Sequence, residues 1–209
     1  MNEKEVLKIF KDEKAYLTGH FLLSSGLHSP GYMQCALLLQ KPWIAEKVCR
    51  ALAKKISGLK IDTVISPALG GIFVSHEVGR ALKKKAIFAE RLPAACLPDR
   101  QGQAGVDGSF TLRRGFDLKK NERVLVVEDV ITTGKSCREV IELVDKYGAK
   151  TQAVAAIVDR SGVEGGMSLF GQDFYSLLKM DIQTYKPEQC PLCREGKVPL
   201  VKPGSRGLK

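Results

Sequence analysis

The chain has 209 residues, of which 44% are hydrophobic and 27% charged, which predicts one globular domain over residues 1–209 and excludes disordered and collagen-like proteins. The net charge of +10 favours polyanionic ligands. No basic stripe carries interleaved aromatic residues, no apolar run is long enough to cross a bilayer, and no secretory leader opens the sequence. We therefore predict a cytoplasmic protein that binds neither nucleic acid nor membrane.

Two helices are predicted near the N-terminus. The first is an amphipathic segment over residues 3–14 that Gly19 closes off, and the second covers residues 42–57 with Pro42 at its first position.

Strands then alternate with helices. Apolar, β-branched runs predict strands at residues 62–66, 86–89, 123–128 and 151–158, and helical patterns reach to about residue 84 and cover residues 135–147. This alternation predicts an α/β fold around a parallel sheet. Residues 91–109 interrupt the order with glycines and prolines and are predicted to form a functional lid or a disordered segment. The segment over residues 185–209 is predicted to be an irregular tail.

The segment from Val124 to Ser136 carries the clearest chemistry. An apolar strand ends in Glu128 and Asp129, and a Thr-Thr-Gly-Lys-Ser turn leads into a helix, whose free N–H groups and dipole suit a phosphate. The two acids can accept hydrogen bonds from vicinal sugar hydroxyls or hold Mg²⁺, so the segment predicts a ribose 5-phosphate site. A capped turn with merely exposed acids is the alternative. A Walker A loop is excluded because it needs glycine where Asp129 stands.

The acidic pair, Val-Ile-Thr-Thr-Gly and the helix together resemble the phosphoribosyl-pyrophosphate motif of type I phosphoribosyltransferases. Other segments resemble a bacterial branch of the orotate phosphoribosyltransferases: His20–Gln34, Ala89-Glu-Arg91, Leu112-Arg-Arg-Gly115, Val158-Asp-Arg160 and Cys190-Pro-Leu-Cys193. The resemblance runs from about residue 5 to residue 200. It implies a mostly parallel central sheet flanked by helices, a small hood over residues 1–40 and a mobile loop over residues 91–109.

The resemblance also implies a reaction. Enzymes of this family join orotate to 5-phosphoribosyl 1-pyrophosphate (PRPP) with Mg²⁺, giving orotidine 5′-monophosphate and pyrophosphate in pyrimidine (UMP) biosynthesis. The acidic pair would bind the ribose hydroxyls, residues 132–136 the 5′-phosphate, and residues 68–70 the pyrophosphate, in a loop whose peptide is often cis in relatives. The implied PRPP-binding residues are Glu128, Asp129, Val130, Ile131, Thr132, Thr133, Gly134, Lys135, Ser136, Ala68, Leu69 and Gly70. Mg²⁺ would be held mainly through the substrate, with Asp129 as the candidate protein ligand.

Orotate would contact Thr132, Arg160, Tyr32 and Met33, the last two from the hood. The alternative for Arg160 is a purely structural role, in a salt bridge to a neighbouring acid such as Asp159.

The implied catalytic residues are Asp129, Arg91, Arg113 and Arg114. Ser24 and Gly70 stand where better-known members have lysine, so these arginines, or a partner subunit, would have to neutralise the leaving pyrophosphate. By resemblance the protein is a homodimer that shares its mobile loop, so that Arg91 or Arg100 could serve the neighbouring site.

Cys190 and Cys193 form a CxxC pair, but the sequence offers no second such pair and no histidine beside it. A zinc site would need partners from distant cysteines or a second chain, so we favour a reduced pair without function. His20, His28 and His76 are predicted to be structural or hood residues.

Two alternative functions stay open. One is a phosphoribosyltransferase for another base, because the phosphate half of the site is shared. The other is a ligand-sensing, DNA-binding regulator on the same fold, which the net charge of +10 mildly favours and the intact acidic pair disfavours.

Overall fold

The computed structural model describes residues 1–23, 25–92, 108–163 and 167–203. Residues 93–107, which make up most of the predicted mobile loop, lie outside this description. Within the described parts of the chain, no helix is long and apolar enough to span a membrane.

A six-stranded sheet forms the centre of the molecule. Its strands are β3 (Thr63–Pro67), β4 (Lys85–Arg91), β5 (Phe110–Thr111), β6 (Arg123–Ile131), β7 (Lys150–Asp159) and β8 (Asp173–Lys179). They lie in the order β5-β4-β3-β6-β7-β8, and all neighbours are parallel except β5, which runs antiparallel to β4. The predicted α/β fold with a mostly parallel sheet is confirmed.

Helices cover both faces of this sheet, and β6 therefore buries side chains on each side. Leu125 and Val127 pack in a core with helices α1 (Glu3–Asp12), α2 (Cys35–Leu39), α3 (Pro42–Lys55) and α4 (Ile72–Leu82). Val124 and Val126 pack in a second core with α5 (Lys135–Lys146) and Phe170, the last residue of α6 (Met167–Phe170). Such burial on both faces is typical of parallel sheets.

The first helix begins at a capping box and ends earlier than predicted. Glu5 N donates to Asn2 Oδ1 at 2.9 Å, and Asn2 N donates to Glu5 Oε2 at 2.8 Å. The helix ends at Asp12, and the chain turns at Lys14, whose φ is +53°. Gly19 therefore does not close the helix, because it lies inside the strand that follows.

The hood is a small second sheet. Strands β1 (Tyr16–Leu22) and β2 (His28–Met33) form an antiparallel hairpin, and β9 (Leu200–Val201) adds to β1 in parallel. The tail, predicted to be irregular, thus contains β9, a 3₁₀ turn (Pro187–Gln189) and α7 (Pro191–Glu195). Backbone pairing with the free edge of β1 orders β9, and no periodicity of its own sequence marks it.

Candidate active site

The site lies at the carboxyl edge of the central sheet, between β3 and β6. From β3 the chain continues to α4 and β4 on one side, and from β6 it continues to α5 and β7 on the other. The strand order therefore reverses between these two strands, and open parallel sheets bind their ligands at such a switch point. The loop over residues 68–71 and the turn over residues 132–134 meet there.

Glu128 and Asp129 lie at this edge, near the carboxyl end of β6. Asp129 Oδ1 accepts a hydrogen bond from Val130 N at 2.8 Å, and Glu128 Oε1 accepts one from Asp129 N at 3.2 Å. Burial, and then the neighbouring Asp129 charge, raise the pKa of Glu128 well above its usual range, and burial also raises the pKa of Asp129. No lysine or arginine of the described residues forms an ion pair with either acid. These half-buried carboxylates, when ionised, suit a cation or a pair of hydroxyl donors.

The loop after β3 approaches the acids through glycines. Its Ala68–Leu69 peptide is cis, as the resemblance implied. A Cβ on Gly70 would lie 3.0 Å from both carboxylate oxygens of Asp129. A Cβ on Gly71 would lie 2.7 Å from Ser66 Cβ and 3.1 Å from Glu128 Oε1. Both positions need glycine for this close approach, which the resemblance implied for the loop over residues 68–71.

The turn between β6 and α5 encloses a cleft of about 290 Å³ that opens to solvent and is lined by Glu128 and residues 130–137. Gly134 has a φ of +71°, and no side chain caps the helix at this residue. Lys135 N donates a hydrogen bond to Thr133 Oγ1 at 3.4 Å. The N–H groups that follow it in the first turn of α5 are available to an anion, and the hydroxyls of the neighbouring Thr132, Thr133 and Ser136 add donors.

Arg160 lies beside this turn because of the register of β7. Ile131 pairs with Asp159, and Arg160 N donates to Ile131 O at 2.8 Å, which places Arg160 next to Thr132. Asp159 does not pair with the guanidinium. Its Oδ1 accepts hydrogen bonds from Ser161 N at 2.9 Å and Ser161 Oγ at 2.7 Å.

The guanidinium of Arg160 is half-buried. Among the described residues, its Nε has no hydrogen-bond partner and its guanidinium forms no ion pair. Burial lowers its pKa, while Tyr16 and Tyr32 act in the opposite direction. The pKa of Tyr32 is raised, mainly by burial and then by the charge of Asp129, whereas the charge of Arg160 acts in the opposite direction. The charges of Asp129 and Arg160 thus both act on Tyr32, and Tyr16, which no sequence motif marked, acts on the same guanidinium.

Met33 lies in the main core instead, with only 4% of its surface exposed. Its side chain is not available to a base. Adjacent residues of β2 point to opposite faces, so Tyr32 and Met33 do not line the same site.

The three candidate catalytic arginines lie outside the cleft. Arg91 Nη2 lies 2.6 Å from Glu139 Oε2, and its guanidinium stacks 4.1 Å from the centre of the Phe110 ring. Arg114 donates two hydrogen bonds of 2.9 Å to Glu90. Arg113 is exposed. In this conformation, Arg91 and Arg114 neutralise carboxylates of their own chain.

The chain is similar to known phosphoribosyltransferases over most of its length. Residues 38–165 match the family described as phosphoribosyl transferase domain. The chain is 52% identical to the orotate phosphoribosyltransferase of Carboxydothermus hydrogenoformans, over 97% of both chains. It is 46% identical to that of Thermotoga maritima, over 98% of this chain and all of the relative.

Among solved structures, the orotate phosphoribosyltransferase of Aeropyrum pernix superposes with a TM-score of 0.65 at 26% identity, over 84% of this chain and 93% of that one. These likenesses extend over nearly the whole chain, and the matched domain contains the acidic pair and the turn over residues 132–134. The chain belongs to the phosphoribosyltransferase family and, within it, to the orotate phosphoribosyltransferases.

Proposed function

We propose that this chain transfers the phosphoribosyl group of PRPP to orotate with Mg²⁺, giving orotidine 5′-monophosphate and pyrophosphate for pyrimidine biosynthesis. The observation that carries the choice of base is Arg160. This residue is a half-buried guanidinium without a carboxylate partner in the described chain, and it lies beside the phosphate turn. An unpaired buried cation is costly, and the carboxylate and carbonyl oxygens of orotate match its planar fork.

PRPP would bind across the switch point. The N–H groups and hydroxyls of residues 132–136 take the 5′-phosphate, and the carboxylates of Glu128 and Asp129 accept hydrogen bonds from the ribose diol. Pyrophosphate lies over the loop of residues 68–70, whose backbone approaches Asp129 closely because position 70 has no side chain.

The acidic pair fits Mg²⁺ as well. Two adjacent carboxylates, whose pKa values burial raises and which lack cationic partners among the described residues, offer the oxygen ligands that Mg²⁺ prefers. Bound mainly through PRPP, the metal would supply positive charge to the leaving pyrophosphate. Asp129 is the protein residue placed to hold it.

The residues of the chain would stabilise the charge that develops on the sugar and exclude water from it. As the bond from ribose C1 to pyrophosphate breaks, positive charge develops on the sugar, and the nearby Glu128 and Asp129 carboxylates stabilise it. Tyr32 and Arg160 hold the base so that its N1 atom faces C1. The hood, together with the loop over residues 91–109, would exclude water from the reacting sugar. Arg91 and Arg114 can reach pyrophosphate only after leaving Glu139 and Glu90.

We further propose a cytoplasmic homodimer in which Arg100, from the loop over residues 91–109, serves the neighbouring site. The family membership supports this assembly, and the two engaged arginines leave a need for positive charge from elsewhere.

The test is Arg160→Ala. Orotate consumption, followed by its ultraviolet absorbance, should fall by about 30-fold to 1,000-fold in kcat/KM, equivalent to about 2–4 kcal/mol, because a charged hydrogen-bonding group is lost. PRPP affinity by titration calorimetry should change by less than about twofold, because the phosphate turn is untouched. Arg50→Ala, which removes an exposed arginine paired with Glu46, is the control. Equal losses for both substrates, or use of uracil as readily as orotate by the unmodified protein, would contradict the orotate assignment.

A further inference from the structure

Four side chains that can bind a metal converge between the hood and the tail. His20 lies on β1, His28 begins β2, and Cys190 and Cys193 lie at the start of α7. One ligand atom from each lies within 4.8 Å of the others. His20, His28 and Cys190 are buried, and Cys193 is exposed. The pair of cysteines for which the sequence offered no partner thus has two histidines beside it, about 160 to 180 residues away along the chain.

The spacing of these atoms is close to that of a tetrahedral site. Bonds of about 2.0–2.1 Å to nitrogen and about 2.3 Å to sulfur set ligand atoms about 3.3–3.8 Å apart around zinc. His20 Nε2 lies 3.4 Å from Cys190 Sγ, 3.6 Å from Cys193 Sγ and 3.0 Å from His28 Nδ1. Cys193 Sγ lies 3.3 Å from His28 Nδ1. Two imidazoles and two thiolates are a common ligand set of structural zinc.

A second contact supports this ligation. His20 Nδ1 lies 3.2 Å from Val198 O, so the proton of this ring belongs on Nδ1, where it donates to the carbonyl. The lone pair is then on Nε2, the atom that faces the cluster. Histidines that bind metals usually donate their other ring N–H in this way, which fixes the orientation of the ring.

The tail also needs an additional interaction that holds it against the hood. Of residues 186–202, only Cys190 is buried, and Val198, Leu200 and Val201 are each at least 38% exposed. A five-residue helix and a two-residue strand bury too little apolar surface to hold this segment in place. Binding of a metal that joins distant residues of the chain can supply the missing free energy.

We propose that His20, His28, Cys190 and Cys193 bind one Zn²⁺ in a closed, four-ligand structural site that fastens the tail to the hood hairpin. All four positions of the tetrahedron belong to protein atoms, so the ion has no open position for a substrate. The zinc content of the chain does not depend on the reaction that the acidic pair supports.

The test is metal analysis of the full chain, produced without a histidine tag in zinc-supplemented medium. We expect about one zinc per chain by mass spectrometry of the metal, and less than about a tenth of that in Cys193→Ser. Cys49→Ser, which alters a buried cysteine of α3, is the control and should keep its zinc. Exchange of Co²⁺ into the unmodified protein should give the visible absorption of a tetrahedral site with thiolate ligands, a result that does not depend on how a variant folds.

Removal of the zinc should release the tail. Trypsin should then cleave after Arg194 or Lys197 at least about tenfold faster, because local opening exposes these bonds. Protein without bound metal and with two free thiols, or with a disulfide between Cys190 and Cys193, would overturn the proposal. Cleavage at an unchanged rate after zinc removal would overturn the fastening role.

Discussion

At the scale of single residues, the site combines half-buried charged groups that lack an ion-pair partner among the described residues. Burial raises the pKa of Glu128 and of Asp129, and the half-buried Arg160 lacks an acidic partner among the described residues. Each of these groups disfavours the folded state in its charged form, because it has lost water without gaining an ion pair. Binding of PRPP and of the base would supply the missing partners.

This cost predicts that Glu128→Gln stabilises the protein. The pKa of Glu128 is raised in the folded state, so the folded state binds more protons than the unfolded state between the usual carboxyl pKa and the raised value. Stability therefore falls as the pH rises through that window and stays lower above it, whereas glutamine has no charge to bury. We expect the variant to unfold about 2–4 °C above the unmodified protein at about pH 8, from roughly 1 kcal/mol, with PRPP affinity reduced.

The pH dependence separates this effect from ordinary repacking. The gap in unfolding temperature should shrink as the pH falls toward the usual carboxyl range, because protonation of Glu128 removes the charge that the folded state buries. Glu142→Gln, at an exposed position of α5, should show no such gap. A variant that is less stable at about pH 8, or a gap that does not depend on pH, would contradict the buried charge.

At the scale of elements, the sequence predicted the unit from β6 through the turn to α5. Its apolar strand, paired acids and helix are local features, and they are found over Arg123–Ile131 and Lys135–Lys146. Elements without such local patterns were missed. The edge strand β8 and the two-residue β5 acquire their state by pairing with neighbours, which no periodicity of their own reveals.

The same limit explains the residues of the hood. The prediction assigned both Tyr32 and Met33 to the base, whereas recognition of β2 as a strand would have separated them by the alternation of its side chains. The contacts of His20 and His28 with Cys190 and Cys193 depend on tertiary pairing of the tail with β1, which spacing along the chain cannot show.

The turn itself supports a prediction at Gly134. An alanine there would need a φ of +71° and would place its Cβ 2.8 Å from Phe170 Cε1, so the turn must move. Gly148 is a matched control, since its φ is +70° but the nearest atom to a Cβ is 3.5 Å away and the residue lies far from the cleft. Both alanine variants should lose about 1–2 kcal/mol of stability from backbone strain, measured by denaturant unfolding.

Only Gly134→Ala should weaken PRPP binding, by about tenfold or more, because it displaces the N–H groups that face the phosphate. Equal PRPP affinities in the two variants, measured by calorimetry, would mean that the turn does not bind the phosphate.

At the scale of the whole molecule, the proposed reaction requires positive charge near the leaving pyrophosphate. Pyrophosphate leaves with several negative charges, yet Arg91 contacts Glu139 and Arg114 contacts Glu90 of the same chain. Glu139 lies on α5, one helical turn after Lys135 at the start of that helix. The ion pair with Glu139 therefore holds Arg91 near the turn over residues 132–134 of its own subunit. Arg100, by contrast, belongs to the segment of residues 93–107 outside the described structure, and the proposed homodimer assigns it to the neighbouring site.

Mixed dimers distinguish these two arginines. Asp129→Asn should lower turnover by about 100-fold or more, as should Arg91→Ala and Arg100→Ala, because each removes charge that stabilises the transition state. A heterodimer of Arg100→Ala and Asp129→Asn subunits, purified through two different tags, contains one site with an intact Asp129 and an arginine from its partner. It should recover about half of the unmodified activity per dimer. The heterodimer of Arg91→Ala and Asp129→Asn should stay inactive, because Arg91 acts within its own subunit and neither site is complete. Recovery in the Arg91 pair, or none in the Arg100 pair, would reverse the assignment of the shared residue.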